Sequence, residues 1–173
     1  MKKIQFVNNS EPYLSAENLN QMQSNVEEAT ERSYILATIN ESLWGYGGKI
    51  LDPIPLDTVV YKKGEKFTLE NNKIKIGAGV TAIRVSATIF VNDFIGTGYA
   101  WGKIMKNGTY EVATAIMPTI TGASPYGSTC MPSTIVPVKE GDLINLRMEQ
   151  TVRDEISVRG GVSNTFLFIE EYY

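Results

Sequence analysis

The strongest constraint on the fold is a strict alternation of apolar and polar residues over residues 81–92, TAIRVSATIFVN. The odd-numbered positions from 83 to 91 carry Ile, Val, Ala, Ile and Val, while Arg84, Ser86 and Thr88 lie between them. A period of two residues predicts a β-strand with one face in a hydrophobic core. Phe90 departs from the pattern, because it places an aromatic ring on the face that should meet solvent.

The segments that follow also predict strands. Residues 98–116 predict a hairpin, because Asn107-Gly108 supplies the positive φ angles of a tight turn. Residues 133–148 predict two strands joined by a turn at residues 139–142. Many short strands separated by turns indicate a β-sandwich or barrel.

The last predicted strand, residues 163–173, is apolar on both faces. Phe166 and Phe168 share one face, and Leu167 and Ile169 share the other. A strand that is apolar on both sides is covered on both sides. We expect the second cover to be another subunit, with Phe90, Leu167 and Ile169 at the interface.

A different period occurs near the start of the chain, in SAENLNQMQSNVEEATERS from Ser15. Ser15 can cap a helix, and Glu17 places a negative charge in the first turn, where the helix dipole favours it. The apolar positions recur at intervals of three and four residues: Leu19, Met22, Val26 and Ala29. These four residues form a narrow apolar stripe, or seam, of the kind that is typical of a coiled coil. The alternative interpretation is a helix that packs on its own domain, which normally has a wider apolar stripe.

The seam extends to Leu43, which predicts a helical stem over residues 15–43. The other interpretation is that YILATI, residues 34–39, is a strand and that the helix ends near Ser33. Glycine and proline then become frequent, which predicts a linker. The predicted divisions are an attachment segment at 1–14, a stem at 15–43, a linker at 44–58 and a β-rich head at 59–173.

Composition excludes several classes of function. The 173 residues have a net charge of −3 and include no histidine. Nucleic acid as the main partner is excluded, since phosphate binding needs a basic face. Ser-His and Cys-His nucleophiles and zinc sites built on histidine are excluded as well. The carboxylates that could serve a glycosidase lie beside turns or on outer faces, so we expect no enzyme, no metal site and no cofactor.

Two further expectations concern the single cysteine and the N-terminus. Cys130 is expected to be a free, packed thiol. The sequence MKKIQFVNN has no signal-peptide core, and no segment is long enough to cross a membrane. We therefore expect synthesis in a cytosol, without membrane insertion.

The β-rich part resembles the tumour necrosis factor-like jelly roll, in the branch typified by the globular heads of complement. The features that carry the resemblance occur in family order: Gly79-Val80, Lys106-Asn107, Glu140-Gly141-Asp142 and the aromatic-rich segment 166–172. The resemblance covers residues 59–173, and the collagen stalk of the complement relatives is missing. It implies a trimeric jelly roll with both termini at one end.

The N-terminal part, residues 6–29, resembles the opening of small structural proteins of tailed bacteriophages and prophages. In those proteins a short helix precedes a receptor-facing head. Together the two resemblances imply a homotrimeric virion protein. The N-terminus would bind other virion proteins, and a short coiled-coil stem would carry a head that binds a host receptor.

Two long loops are predicted at residues 121–133 and 151–161. The candidate receptor-binding residues are aromatic or basic and lie in these loops or at the start of the predicted hairpin: Tyr99, Trp101, Tyr126, Arg153 and Arg159. Aromatic faces beside polar groups suit sugar rings, so the expected receptor is a glycan. Core packing of Trp101 and a loop-anchoring role for Tyr126 are the competing interpretations. Two other functions remain open, a virion protein without a ligand and a lectin-like adhesin of a bacterial surface.

Overall fold

The computed structural model describes residues 15–30, 32–92, 96–119 and 126–173. The attachment segment predicted at residues 1–14 lies outside these ranges. The chain divides into two compact units, Met1–Arg32 and Ser33–Tyr173.

In the first unit the described structure is a single helix, α1 (Ala16–Thr30). The predicted cap is confirmed, because the Ser15 hydroxyl oxygen accepts a hydrogen bond of 3.1 Å from the Asn18 N–H. Met22 and Val26 of the predicted seam are 59% and 63% exposed. The helix therefore presents apolar side chains at its surface.

The second unit is built from antiparallel strands. The strands of the described residues are β1 (Tyr34–Thr38), β2 (Leu43–Gly47), β3 (Ile50–Leu51), β4 (Thr58–Lys63), β5 (Phe67–Glu70), β6 (Lys73–Ile76), β7 (Ala82–Asn92), β8 (Gly98–Lys106), β9 (Tyr110–Thr119), β10 (Gly127–Pro137), β11 (Leu143–Gln150), β12 (Glu155–Val158) and β13 (Phe166–Glu171).

These strands form two sheets. In sheet A the order is β2-β12-β7-β13-β1-β4, and β10 pairs with β7 on the side opposite β13. In sheet B the order is β5-β6-β11-β8-β9, and β3 pairs with the end of β11. The unit is thus a mainly β, antiparallel sandwich, as the sequence predicted.

The core lies between the sheets and follows the predicted alternation. All five odd-numbered residues of β7 from position 83 to 91 are buried. Sheet B contributes Ile104, Ile144, Leu146 and Met148, each fully buried. The predicted hairpin is confirmed as β8 and β9, with φ angles of 56° at Asn107 and 72° at Gly108.

The predicted stem and linker boundaries are wrong. The helix ends at Thr30, and Tyr34–Thr38 forms strand β1 between β13 and β4. The alternative interpretation of YILATI as a strand is therefore the right one. Residues 44–58 are part of the sandwich, because they include β2 and β3 and bury Ile54 and Leu56 completely or nearly so.

Strands occupy part of each of the two predicted long loops, and residues 121–125 of the first lie outside the described residues. Strand β10 begins at Gly127, inside the loop predicted at residues 121–133. Strand β12 occupies Glu155–Val158, inside the loop predicted at residues 151–161. Both strands pair with β7, which the local sequence does not reveal.

The second unit begins and ends at one end of the sandwich. The Glu171 N–H donates to the Ser33 carbonyl at 2.9 Å. The buried Glu171 side chain accepts from Lys66 Nζ at 2.6 Å, and its other oxygen lies 3.4 Å from the Ser33 nitrogen. We call this the proximal end and the opposite end the distal end.

Candidate functional site

At the distal end β2, β12, the start of β8, the end of β11 and the start of β10 come together. Four aromatic side chains there are strongly exposed: Trp44 (61%), Tyr46 (43%), Tyr99 (52%) and Tyr126 (56%). The distal end is therefore one part of the sandwich where exposed aromatic side chains cluster.

Tyr99 and Trp101 lie together on the outer face of sheet B. The buried Ala100 and Gly102 alternate with them and point into the sandwich, so Tyr99 and Trp101 point outward. Their ring centroids are 5.8 Å apart with a tilt of 35°. We call these two residues the aromatic pair. The interpretation of Trp101 as a core residue is wrong.

The same face of sheet B carries a row of alternating charges. Lys103 Nζ lies 3.1 Å from a Glu111 carboxylate oxygen and 3.3 Å from a Glu149 carboxylate oxygen. Arg147 extends the row, 2.7 Å from Glu149 and 3.5 Å from Asp52. We call these five residues the charged ladder.

The strand register places the aromatic pair against the charged ladder. Trp101 lies opposite Glu149 on β11 and opposite Ile116 on β9. Directly opposite residues of adjacent strands have their Cβ atoms about 4.5–5.5 Å apart. The face thus combines aromatic surface with hydrogen-bonding groups at contact distance.

The carboxylate at one end of the ladder is held in its ionised form. The Thr114 hydroxyl donates to Glu111, and with the Lys103 ammonium it lowers the pKa of Glu111 against the opposing effect of burial. Burial lowers the pKa of Lys103, but hydrogen bonds to Glu111 and Glu149 outweigh it, and the net pKa is raised. A general acid needs a raised carboxyl pKa, so Glu111 suits a binding role better than a catalytic one.

Tyr126 and Arg159 lie on the outer face of sheet A instead. Phe90 brings them together, because its ring centroid is 6.4 Å from that of Tyr126 and 5.7 Å from Arg159 Cζ. The Arg159 N–H also donates to the Phe90 carbonyl at 2.9 Å. We call these three residues the Phe90 cluster.

Arg153 is exposed in the short connection between β11 and β12. Its N–H donates to the Gln150 side-chain oxygen at 3.3 Å. The Thr151 N–H next to this connection donates to the Tyr99 carbonyl at 3.0 Å. The five predicted residues therefore separate into the aromatic pair on sheet B, Arg153 beside it, and Tyr126 with Arg159 on sheet A.

The outer face of sheet A also carries an uncharged row across four strands. Leu36 lies opposite Tyr61 on one side and Phe168 on the other, and Phe168 lies opposite Ser86. We call these four residues the Phe168 row. The Phe168 ring is 6.4 Å from that of Tyr34.

The assignment of Leu167 and Ile169 to a subunit interface is wrong. Both are fully buried in the core of their own sandwich. Their neighbours Phe166 and Phe168 occupy the outer face, together with Phe90. The sequence correctly predicted that both faces of β13 are apolar. It placed Leu167 and Ile169 on the outer face, whereas Phe166 and Phe168 occupy that face.

Sequence reasoning also missed other features of these surfaces. Trp44 and Tyr46 were assigned to a linker, although their alternation with glycines indicates a short edge strand. Cys130 is a free thiol, as expected, but it is exposed on β10 rather than packed. The described helix is too short and too polar to cross a membrane.

No described protein family matches the sequence, and no curated protein matches it either. Solved structures are similar in fold. The crystal structure of murine APRIL at pH 5.0 has a TM-score of 0.61 and 11% identity over 82% of this chain and 99% of the APRIL chain. The structure of Eiger TNF from S. frugiperda has a TM-score of 0.60 and 11% identity over 82% of this chain and 92% of its own. The sandwich is therefore a tumour necrosis factor-like jelly roll, as the sequence motifs implied.

Proposed function

We propose that this chain is a homotrimeric, receptor-binding head protein of a phage or prophage virion, with a glycan on the host surface as its receptor. The observation that carries the proposal is the distribution of aromatic side chains over two outer faces. An uncharged aromatic row lies on sheet A, and the aromatic pair lies on sheet B at the distal end. The first suits subunit contact and the second suits a receptor.

The Phe168 row supports self-association. It contains one phenylalanine, one tyrosine, one leucine and one serine, without a charge. Tyr61 is 65% exposed, and Phe168 and Leu36 are partly exposed in the single chain. A contiguous apolar patch on a sheet face marks an interaction surface. A rotationally symmetric homo-oligomer covers such a face on every copy at once.

The helix supports a stem. Leu19, Met22 and Val26 lie along one side of α1 at the spacing of a coiled-coil seam, and Met22 and Val26 are exposed. The fourth predicted seam residue, Ala29, lies in the same helix. A helix of 15 residues is marginal on its own, so association with copies of itself would stabilise it.

The proximal and distal ends support an orientation. Ser33, where the second unit begins, is at the proximal end, so a particle that holds the sandwich by this end would present the distal aromatic side chains outward. The phage context itself is supported by the resemblance of residues 6–29 to virion proteins.

Two measurements test the proposal. Light scattering of the purified chain should return three times the 19.2 kDa mass of one copy, and a 19.2 kDa species at micromolar concentration would contradict the trimer. Fluorescently labelled protein should also adsorb to cells of a host strain. A trimer that adsorbs to no plausible host would favour a structural virion protein, and its absence from sedimented particles of the producing strain would favour a surface adhesin.

A further inference from the structure

We propose that the outer face of sheet B, at the aromatic pair and the charged ladder, binds a neutral hexose-type sugar residue. This inference rests on the proposed function and deepens it, because it chooses one of the two candidate surfaces and one class of sugar.

The aromatic pair supplies the apolar contact. Tyr99 is 52% exposed, and its ring lies 5.8 Å from that of Trp101 at a tilt of 35°. Ile116, directly opposite Trp101, is 59% exposed. The axial C–H face of a pyranose ring is apolar and slightly positive, so it packs on the negative face of an aromatic ring. The aromatic pair and Ile116 together therefore offer aromatic and aliphatic surface against which one pyranose ring can pack.

The charged ladder supplies directional hydrogen bonds beside that corner. Carboxylates accept from sugar hydroxyls, and ammonium and guanidinium groups donate to them. The side chains of Lys103, Glu149, Arg147 and Asp52 are 19–25% exposed, so they reach the surface while their neighbours hold them in place. Binding would therefore immobilise few additional side chains, which favours affinity.

The charges on the ladder select against acidic sugars. Its carboxylates are Glu111, Glu149 and Asp52, and its cations are Lys103 and Arg147, which gives a net charge of −1 for the five groups. Each cation already lies within 3.5 Å of two carboxylates. A sugar carboxylate, sulfate or phosphate would find no uncompensated cation in the ladder and would meet repulsion. Hydroxyl groups have no such penalty.

The position of the Phe90 cluster also favours the aromatic pair as the sugar-binding surface. The Phe90 cluster is on the outer face of sheet A, the face that the proposed trimer uses. The aromatic pair is on the opposite face of the sandwich and remains accessible in any assembly formed through sheet A. In a trimer this surface is present three times, and matched spacing can raise avidity by roughly 10²–10⁴.

The test uses the full chain and two series of saccharides. Saturation-transfer NMR and a glycan array would compare neutral methyl hexosides and neutral oligosaccharides with uronic-acid, sialic-acid and sulfated ones. The variants are Tyr99→Ala and Glu149→Gln, and Tyr126→Ala is the matched control, because it removes a similarly exposed tyrosine from the other face. Thermal melting and light scattering identify any variant that fails to fold or assemble.

We expect the wild type to prefer neutral sugars and the Tyr99→Ala variant to lose affinity by about two- to tenfold, the size of one lost stacking contact. Tyr126→Ala should bind as the wild type does. A preference for acidic sugars, or a loss caused by Tyr126→Ala but not by Tyr99→Ala in folded protein, would overturn the inference. If host adsorption continues undiminished in the Tyr99→Ala and Glu149→Gln variants, this site is wrong while the proposed function stands. If the wild type neither adsorbs to cells nor binds any saccharide, both fail.

Discussion

Asn107 in the turn between β8 and β9 donates a hydrogen bond from Nδ2 to Oδ1 of Asp142, 2.9 Å away, in the turn between β10 and β11. Oδ1 of Asn107 accepts from the Leu143 N–H at 2.9 Å, and the Asn107 N–H donates to the Leu143 carbonyl at 2.8 Å. Two of the motifs that carried the sequence resemblance are therefore bonded to each other. They close the proximal end of the sandwich.

Asp142→Ala should lower the free energy of unfolding at pH 7 by about 1–3 kcal/mol, because the partly buried hydrogen bonds from the Asn107 side chain and the Lys139 N–H lose their buried acceptor. Burial raises the pKa of Asp142, but hydrogen bonds from Asn107 and the Lys139 N–H, with the Lys106 charge, outweigh it and lower the pKa below 3.8. The contribution is therefore fully present above pH 3.8 and disappears as the pH falls through the lowered pKa. Urea unfolding from pH 7 down to pH 3 measures this.

The control for Asp142 is Glu140→Ala, which removes an exposed carboxylate from the same turn. It should leave stability nearly unchanged. Equal losses in the two variants would show that the hydrogen bonds to the buried Asp142 carboxylate are not what makes it stabilising.

Gly160→Ala should destabilise the sandwich by about 1–3 kcal/mol through overpacking. An added Cβ would lie 2.7 Å from the Glu41 carbonyl carbon and 2.9 Å from the Ile39 carbonyl oxygen, and backbone atoms cannot turn away. Gly47→Ala is the matched control, because nothing lies within 4 Å of its added Cβ. Thermal melting of the two variants should separate them, and equal melting temperatures would contradict this packing.

Deleting residues 1–32 should leave a folded, β-rich protein, since β1 begins after the deletion. Deleting residues 1–43 should abolish folding. That deletion removes β1, with the fully buried Ile35 and Ala37, and separates β4 from β13. Circular dichroism and a urea transition measure both outcomes. A folded, cooperative product of the longer deletion would show that β1 is dispensable.

Phe168→Glu should shift the proposed trimer toward monomer, because it places a charge in the Phe168 row. The neighbouring residue Leu167 is fully buried in the core, so its replacement should affect folding rather than association. Leu167→Ala should cost about 2–5 kcal/mol in the free energy of unfolding. Sedimentation velocity reports the first effect and urea unfolding the second. An unchanged sedimentation coefficient for Phe168→Glu would remove sheet A from the interface.

The parts of the fold that were predicted from sequence are those that local pattern determines. The alternation in β7 is sufficient to predict a strand, and Asn107-Gly108 is sufficient to predict a hairpin turn, because strand period and turn chemistry depend only on residues close together in the chain. The sequence allows both a helix and a strand over residues 34–39, because Leu36 also continues the helical seam. The pairing of Leu36 with Phe168, far along the chain, shows that this segment is a strand.

The candidate surfaces, too, could be predicted only as far as local sequence patterns allow. In β13 both faces are apolar, so alternation separates Leu167 from Phe168 without telling which one points inward. In β8 the small residues Ala100 and Gly102 indicate the inward face, and that signal could have placed Trp101 outside. Neither pattern could show that Phe90 joins Tyr126 to Arg159 on the opposite sheet.

The position of β13 in sheet A has a consequence for biosynthesis. β13 lies between β7 and β1, so the hydrogen bonds that connect β1 and β4 to the rest of the sheet depend on it. Tyr34 pairs with Glu170, near the opposite end of the sequence. Until β13 emerges from the ribosome, β1 and β4 lack the strand that connects them to the rest of sheet A. Completion of the sheet must wait for β13 to leave the exit tunnel, and contacts between such distant segments form slowly.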